Sequence, residues 1–261
     1  MVALRPRQLP DHVLSHGVSS FTVREARELL GSSHASTLRA LGRLRDAGLL
    51  FSPARGFWVV IPPEFRAWRV VPAERFIDAM MATTERTYYV ALLSAAAMHG
   101  ASHQAPQVFQ VMCDPLLADR DIERVRLRFF SGAHVAGAPT VQRNVATGRI
   151  RVATPELTVV DLLALPGAGG GLDNVATILR EIGVLEGRAL AEVARARGRS
   201  LVRRVGWMVE RFGECADLQL LRWAAEPDRG EPVLLSPGAP RRGATDPRWG
   251  VRVNTDVEPD L

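Results

Sequence analysis

The sequence predicts a mixed α+β protein. A three-helix module closed by a β-hairpin occupies residues 1–70, and a mixed α/β domain follows over 71–261. Three observations carry that prediction. Two capped helix starts flank Gly31 with only three residues between the helices. Just after Gly48 the apolar period changes from helical to alternating. Beyond residue 75, segments of both periods interleave.

The first helix is expected near Pro10 to His16, with Pro10 tolerated in its first turn. Thr22 then precedes VREARELLG, and Glu25 stands three residues on, the spacing of a capping box. Val23, Ala26, Leu29 and Leu30 make one apolar stripe, and Gly31 stops the helix. Ser32 or Ser33 caps the next helix, which runs through HASTLRALGRLRDA to Gly48 with Leu38, Leu41, Leu44 and Ala47 expected inward. LLFS (49–52) and FWVVI (57–61) read as strands joined by the four-residue loop PARG. Helix, helix, helix, hairpin is the order of a winged helix-turn-helix, so the fold expected is an N-terminal winged helix-turn-helix followed by a mixed α/β C-terminal domain.

Charge placement agrees with a polyanion-binding head. All 33 basic residues are Arg; residues 1–75 hold 11 Arg and 6 acids, while 76–261 hold 22 of each. The whole excess of +5 sits in the first quarter of the chain, where phosphate neutralisation would use it. On the third helix Ser33, Ser36, Thr37, Arg39 and Arg43 are expected to point away from the leucines. The first turns would meet base edges and phosphates; of Arg39 and Arg43, one turn apart, one would take a guanine edge and the other a phosphate. Arg55 at the hairpin tip would clamp the backbone. The alternative is that these residues form only the solvated side of an amphipathic helix; His34 would either contact a base or stand exposed in the first turn.

Composition excludes several classes. With 47% apolar and 23% charged residues among 261, the chain is neither disordered nor collagen-like, and one large or two modest domains fit. No apolar run approaches the roughly 20 residues needed to span a bilayer. The longest, Tyr88 to Met98, carries small residues suited to helix packing. MVALRPRQLP has no apolar signal core, so a cytoplasmic location is expected. Cys113 and Cys215 stand far apart and read as small apolar core residues rather than as metal ligands or a disulfide.

In the body, Thr154-Pro155-Glu156 is a helix start, with Leu157, Val160 and Leu163 expected inward. PGAGGGL (166–172) lacks the Lys-Ser/Thr pair of a phosphate loop and reads as a connector. Helices are expected at 173–182, 187–197 and 201–212, the last capped by Ser200. Strands are expected at 108–112, 125–130, 140–145 and 149–153. Arg124, Arg126 and Arg128 alternate with Val125, Leu127 and Phe129. They form either a second basic surface for nucleic acid or a partner, or a solvated face balanced by Asp119, Asp121 and Glu123. The tail 226–261 is rich in Pro, Gly and Arg, then recovers strand alternation at Trp249, Val251 and Val253, as an edge strand would.

No catalytic, metal or cofactor site assembles from the sequence. Asp119-Arg120-Asp121 has the D-x-D form of nucleotidyltransferase metal sites, but the only Gly-Ser pair, Gly31-Ser32, lies in the head. His99 and His103 lack the Glu of a zinc-hydrolase helix and have Gly100 between them. The chain is therefore not expected to be an enzyme.

The succession RGFWVVIPPEF (55–65), TYYVALLSAAAMHG, APQVFQVM, ATPELTVVDLLALP and DPRWGVRVNTDVEPDL resembles the AbiEi antitoxin family of bacterial abortive-infection, type IV toxin–antitoxin systems, over nearly the whole chain. The resemblance implies a two-domain autorepressor. Its winged helix would bind inverted repeats in double-stranded DNA of its own promoter, with basic residues at the contacts; Arg39, Arg43 and Arg55 fill that role here. Its body would counter a nucleotidyltransferase-like toxin without requiring a stable complex. Reading two half-sites needs two copies, so monomers side by side or a weak dimer on DNA are expected. The alternatives are a repressor whose C-terminal domain senses a small ligand, with no toxin partner, and an enzyme carrying a DNA-binding module.

Overall fold

The computed structural model describes residues 3–101, 107–132, 134–224 and 231–260. It is mixed α and β, and it divides into two compact units by contacts rather than by chain order. The first gathers residues 1–89, 107–136 and 142–151; the second gathers 90–106, 137–141 and 152–261.

The first unit opens with helix α1 (Leu9–Ser15), strand β1 (Ser20–Thr22), helices α2 (Val23–Leu30) and α3 (His34–Asp46), and strands β2 (Leu50–Ala54) and β3 (Phe57–Val60). Local chemistry fixes α2 at both ends. The Thr22 hydroxyl accepts from the Glu25 amide at 3.2 Å, and the Glu25 carboxylate accepts from the Thr22 amide at 2.6 Å. Gly31 then closes the helix at φ 56°, a left-handed geometry that a side chain would strain. The strands form an antiparallel sheet in the order β1-β3-β2, with Phe21 opposite Trp58. Leu9, Val13, Phe21, Ala26, Leu30, Ala40, Leu41, Leu44, Leu50, Trp58 and Val60 pack as one core beneath it.

Two expectations change here. The hairpin turn is the two residues Arg55-Gly56 rather than PARG, because Pro53 and Ala54 continue β2 across an irregular register. β1, only three residues long, carried no periodic signal.

The rest of this unit is built on helix α4 (Ile77–Thr83) and a six-stranded sheet. Its strands are β4 (Thr87–Val90), β5 (Phe109–Asp114), β6 (Arg120–Ile122), β7 (Val125–Phe130), β8 (Thr140–Val145) and β9 (Gly148–Ala153), in the order β6-β7-β5-β4-β9-β8. β5 and β7 run parallel, with Val111 beside Phe129, and β6 runs antiparallel to β7. The Tyr88 hydroxyl donates to Asp78 Oδ1 at 2.7 Å, which ties α4 to the sheet.

The second unit contains helices α5 (Leu92–Met98), α6 (Pro155–Ala164), α7 (Leu172–Glu181), α8 (Gly187–Ala196), α9 (Arg199–Phe212) and α10 (Leu218–Ala224). Strands β10 (Val184–Glu186) and β11 (Glu214–Ala216) pair in parallel. Strands β12 (Val233–Leu234), β13 (Thr245–Asp246) and β14 (Val251–Arg252) make a small three-stranded sheet. α6 is the central helix: every residue from Leu157 to Leu163 is buried, including Asp161, which pairs with Arg197. Its Thr154 cap and its Pro155 start are as the sequence predicts. The apolar run from Tyr88 divides, because Thr87–Val90 is strand and only Leu92 onward is helix. α9 begins at Arg199 behind Gly198, so Ser200 lies inside its first turn instead of capping it. β14 lies between β12 and β13 and is thus a central strand, not an edge. Cys113 is buried as expected, whereas Cys215 is only half-buried.

Candidate nucleic-acid interface

Three residues, Gly31 to Ser33, separate α2 from α3. Ser33 is the cap of α3: its hydroxyl accepts from the Ser36 amide at 3.3 Å and donates to Ser36 Oγ at 3.1 Å. Ser36 Oγ in turn accepts from Arg39 Nη2 at 3.1 Å. Ser33, Ser36 and Arg39 therefore form one hydrogen-bonded chain along the outside of the helix. Arg43 is exposed, one turn beyond Arg39. Neither guanidinium has an acidic partner among the described residues, and Arg45, which does, is neutralised by Asp46 at 3.0 Å. Arg55 is exposed in the β2–β3 turn, whose second residue is Gly56 at φ 77°. The Gly56 carbonyl accepts from the Val23 amide at 2.9 Å, which fastens the turn to the start of α2.

Thr37 corrects the sequence reading. It is fully buried, with its hydroxyl 2.8 Å from Ser32 Oγ and donating to the Ser33 carbonyl at 3.1 Å. The inward stripe of α3 is Thr37, Ala40, Leu41 and Leu44. Leu38 is 42% exposed on the outer side, and Ala47 is also exposed. Spacing alone suggested the regular series 38, 41 and 44, and a buried threonine with satisfied hydrogen bonds is invisible to a count of apolar residues. Leu38 is the outward residue of α3 that sequence reasoning missed. His34 and Ala35 are exposed in the first turn beside it.

Of the second basic surface, Arg128 is the arginine paired with acids among the described residues. Arg128 Nη1 meets Asp121 at 2.7 Å and its Nε meets Asp119 at 3.6 Å. The hydrogen bond from Arg128 holds the Asp121 carboxyl below its usual range. Glu123 stands 3.9 Å from Arg69, and Arg124 lies over the Trp68 ring at 6.0 Å. Arg126 is exposed. The D-x-D carboxylates are engaged by Arg128 and by the Phe129 amide, which donates to Asp119 at 3.0 Å. No group of three His, Cys, Asp or Glu suited to a metal occurs among the described residues. His99 Nε2 donates to the Ala153 carbonyl at 2.7 Å, a helix-end packing role; His103 lies outside the described residues. Among the described residues no helix is long and apolar enough to cross a membrane.

Residues 89–211 match the family model of the AbiEi antitoxin C-terminal domain. Over these residues the chain is similar to the antitoxin domain of AbiEi-type toxin–antitoxin systems. Its fold is similar to that in the crystal structure of the RV2827C protein from Mycobacterium tuberculosis, with a TM-score of 0.66 at 15% identity, over 94% of this chain and 89% of that one. No curated protein matches the chain.

Proposed function

We propose that this chain is an antitoxin of the AbiEi type and a sequence-specific DNA-binding autorepressor. Residues 1–70 act as a winged helix-turn-helix, and residues 71–261 carry antitoxicity against a nucleotidyltransferase-like toxin in the cytoplasm. The observation that carries the proposal is the pair of acid-free guanidiniums, Arg39 and Arg43, on the outer side of the capped helix α3. In this role α3 enters the major groove. Arg39 or Arg43 takes a guanine edge, Ser33 and Ser36 approach phosphates, Leu38 meets a thymine methyl, and Arg55 grips the backbone. Thr37 acts from within, by holding the turn between α2 and α3. Two copies, as monomers side by side or a weak dimer, read inverted repeats in the promoter.

The test is a mobility shift on the promoter that precedes the chain's own gene. Arg39→Ala with Arg43→Ala is expected to abolish the shift while the melting temperature is kept, and wild-type affinity should fall steeply with salt. An unchanged shift with the double variant would refute the assignment of α3. Co-expression with a neighbouring nucleotidyltransferase-like gene tests the other half: growth should be rescued by the wild type and by the double variant alike.

A further inference from the structure

A cavity of about 570 Å³ opens in the second unit between the first turns of α9 and the segment from β12 to β14. Its volume lies in the range of small-molecule sites. Among the described residues Arg204, Arg241 and Arg252 line it together with one carboxylate, Glu231. Arg241 meets Glu231 at 3.7 Å in an open ion pair, both side chains being largely solvated. Arg204 and Arg252 have no acidic partner among the described residues. The Arg204 Nε donates at 3.4 Å to the Ser200 carbonyl. Burial lowers the pKa of this guanidinium from its ordinary value, the mark of a cation that has lost water without gaining an anion. The remaining wall is apolar, from Pro232, Val233, Leu234 and Pro237.

Three guanidiniums against one carboxylate leave a surplus matched by a dianion. Guanidinium forks bind phosphate oxygens in paired hydrogen bonds. A free phosphate would leave most of the volume and the apolar wall unused, so the occupant should carry an organic body as well. We propose that this cavity binds a small phosphorylated ligand of nucleotide size, its phosphate held by Arg204 and Arg252 with Arg241 at the rim. The site is independent of the DNA-binding role above.

The test uses the full chain with inorganic phosphate, adenosine monophosphate and adenosine as probes, followed by calorimetry and thermal shift. The monophosphate is expected to bind saturably and more tightly than phosphate, and adenosine to bind at least about tenfold more weakly than the monophosphate. Arg252→Gln and Arg204→Gln should each weaken the monophosphate by about tenfold or more, and Arg188→Gln should leave it unchanged. Arg252→Gln keeps the test decisive if Arg204→Gln melts early. Absence of saturable binding by both phosphate probes overturns the proposal, as does equal binding of adenosine. If only duplex DNA binds, and both variants weaken it, the arginines serve the phosphates of a polymer and the small-ligand site is refuted.

Discussion

Gly206 of α9 lies directly against the ring of Trp249, so close that a methyl group at residue 206 would overlap the indole. One helical turn earlier, Arg203 is buried and donates from Nε to the Trp249 carbonyl at 2.8 Å, with Nη2 bonded to the Gly250 carbonyl. The segment that ends in β14 is therefore seated on α9 by one ring and one guanidinium. Gly206→Ala is expected to destabilise the protein by about 1–3 kcal/mol, the usual cost of overpacking, and Trp249→Ala by about 3–5 kcal/mol. Chemical denaturation followed by tryptophan fluorescence would read both. A Gly206→Ala protein as stable as the wild type would contradict this close packing.

Glu210 gathers the same region electrostatically. Its carboxylate accepts from Trp249 Nε1 at 2.7 Å and from Arg222 and Arg248 at 2.6 Å each. Burial acts to raise its pKa, but the three hydrogen bonds outweigh that and hold it at about 2. A carboxylate depressed in the folded state contributes stability that is complete above its unfolded value and is lost as pH falls towards the folded one. Melting temperature should therefore decline between about pH 4.5 and 2, and Glu210→Gln should flatten that limb while lowering stability at neutral pH. Identical acid limbs for the two proteins would remove Glu210 from the account.

Thr37 and its neighbours separate folding from binding. Thr37→Val keeps the volume but strips the hydroxyl from Ser32 Oγ and the Ser33 carbonyl, and should cost about 1–2 kcal/mol of stability. Leu38→Ala, on the exposed side, should change stability by less than about 0.5 kcal/mol. It should instead alter operator preference, losing discrimination at one base pair by about 1 kcal/mol in competition binding.

Arg55 tests the hairpin turn. Arg55→Ala is expected to weaken promoter binding uniformly across sequences and to reduce the slope of log affinity against log salt by about 1. A loss confined to one operator sequence would assign Arg55 to base reading instead.

What the sequence made legible was what is decided locally. The capping box of Thr22 and Glu25, the Gly31 stop and the Thr154-Pro155 start depend on residues three or four apart, and each stands where its spacing predicted. The acids set against Arg124, Arg126 and Arg128 were legible as counterions, and Arg128 meets two of them. Long-range partners were not legible. Thr37 turns inward because two serines before the helix satisfy its hydroxyl, and that frees Leu38 to face out. Thr87–Val90 reads as part of a longer apolar helix until its place between two other strands is known, since a strand buried on both faces has no alternation. The cavity arginines were hidden for the same reason: residues 204, 241 and 252 meet only once the segment containing β14 is laid along α9.

The seating of Trp249 also has a temporal side. During synthesis α9 leaves the ribosome well before Trp249, so its Gly206 side and the carboxylate of Glu210 wait uncovered until that indole arrives. A nascent chain that stalls in between leaves the Arg203 guanidinium and the Glu210 carboxylate without the carbonyl and indole partners that satisfy them. Closure of this corner therefore has to follow synthesis of the segment that carries Trp249.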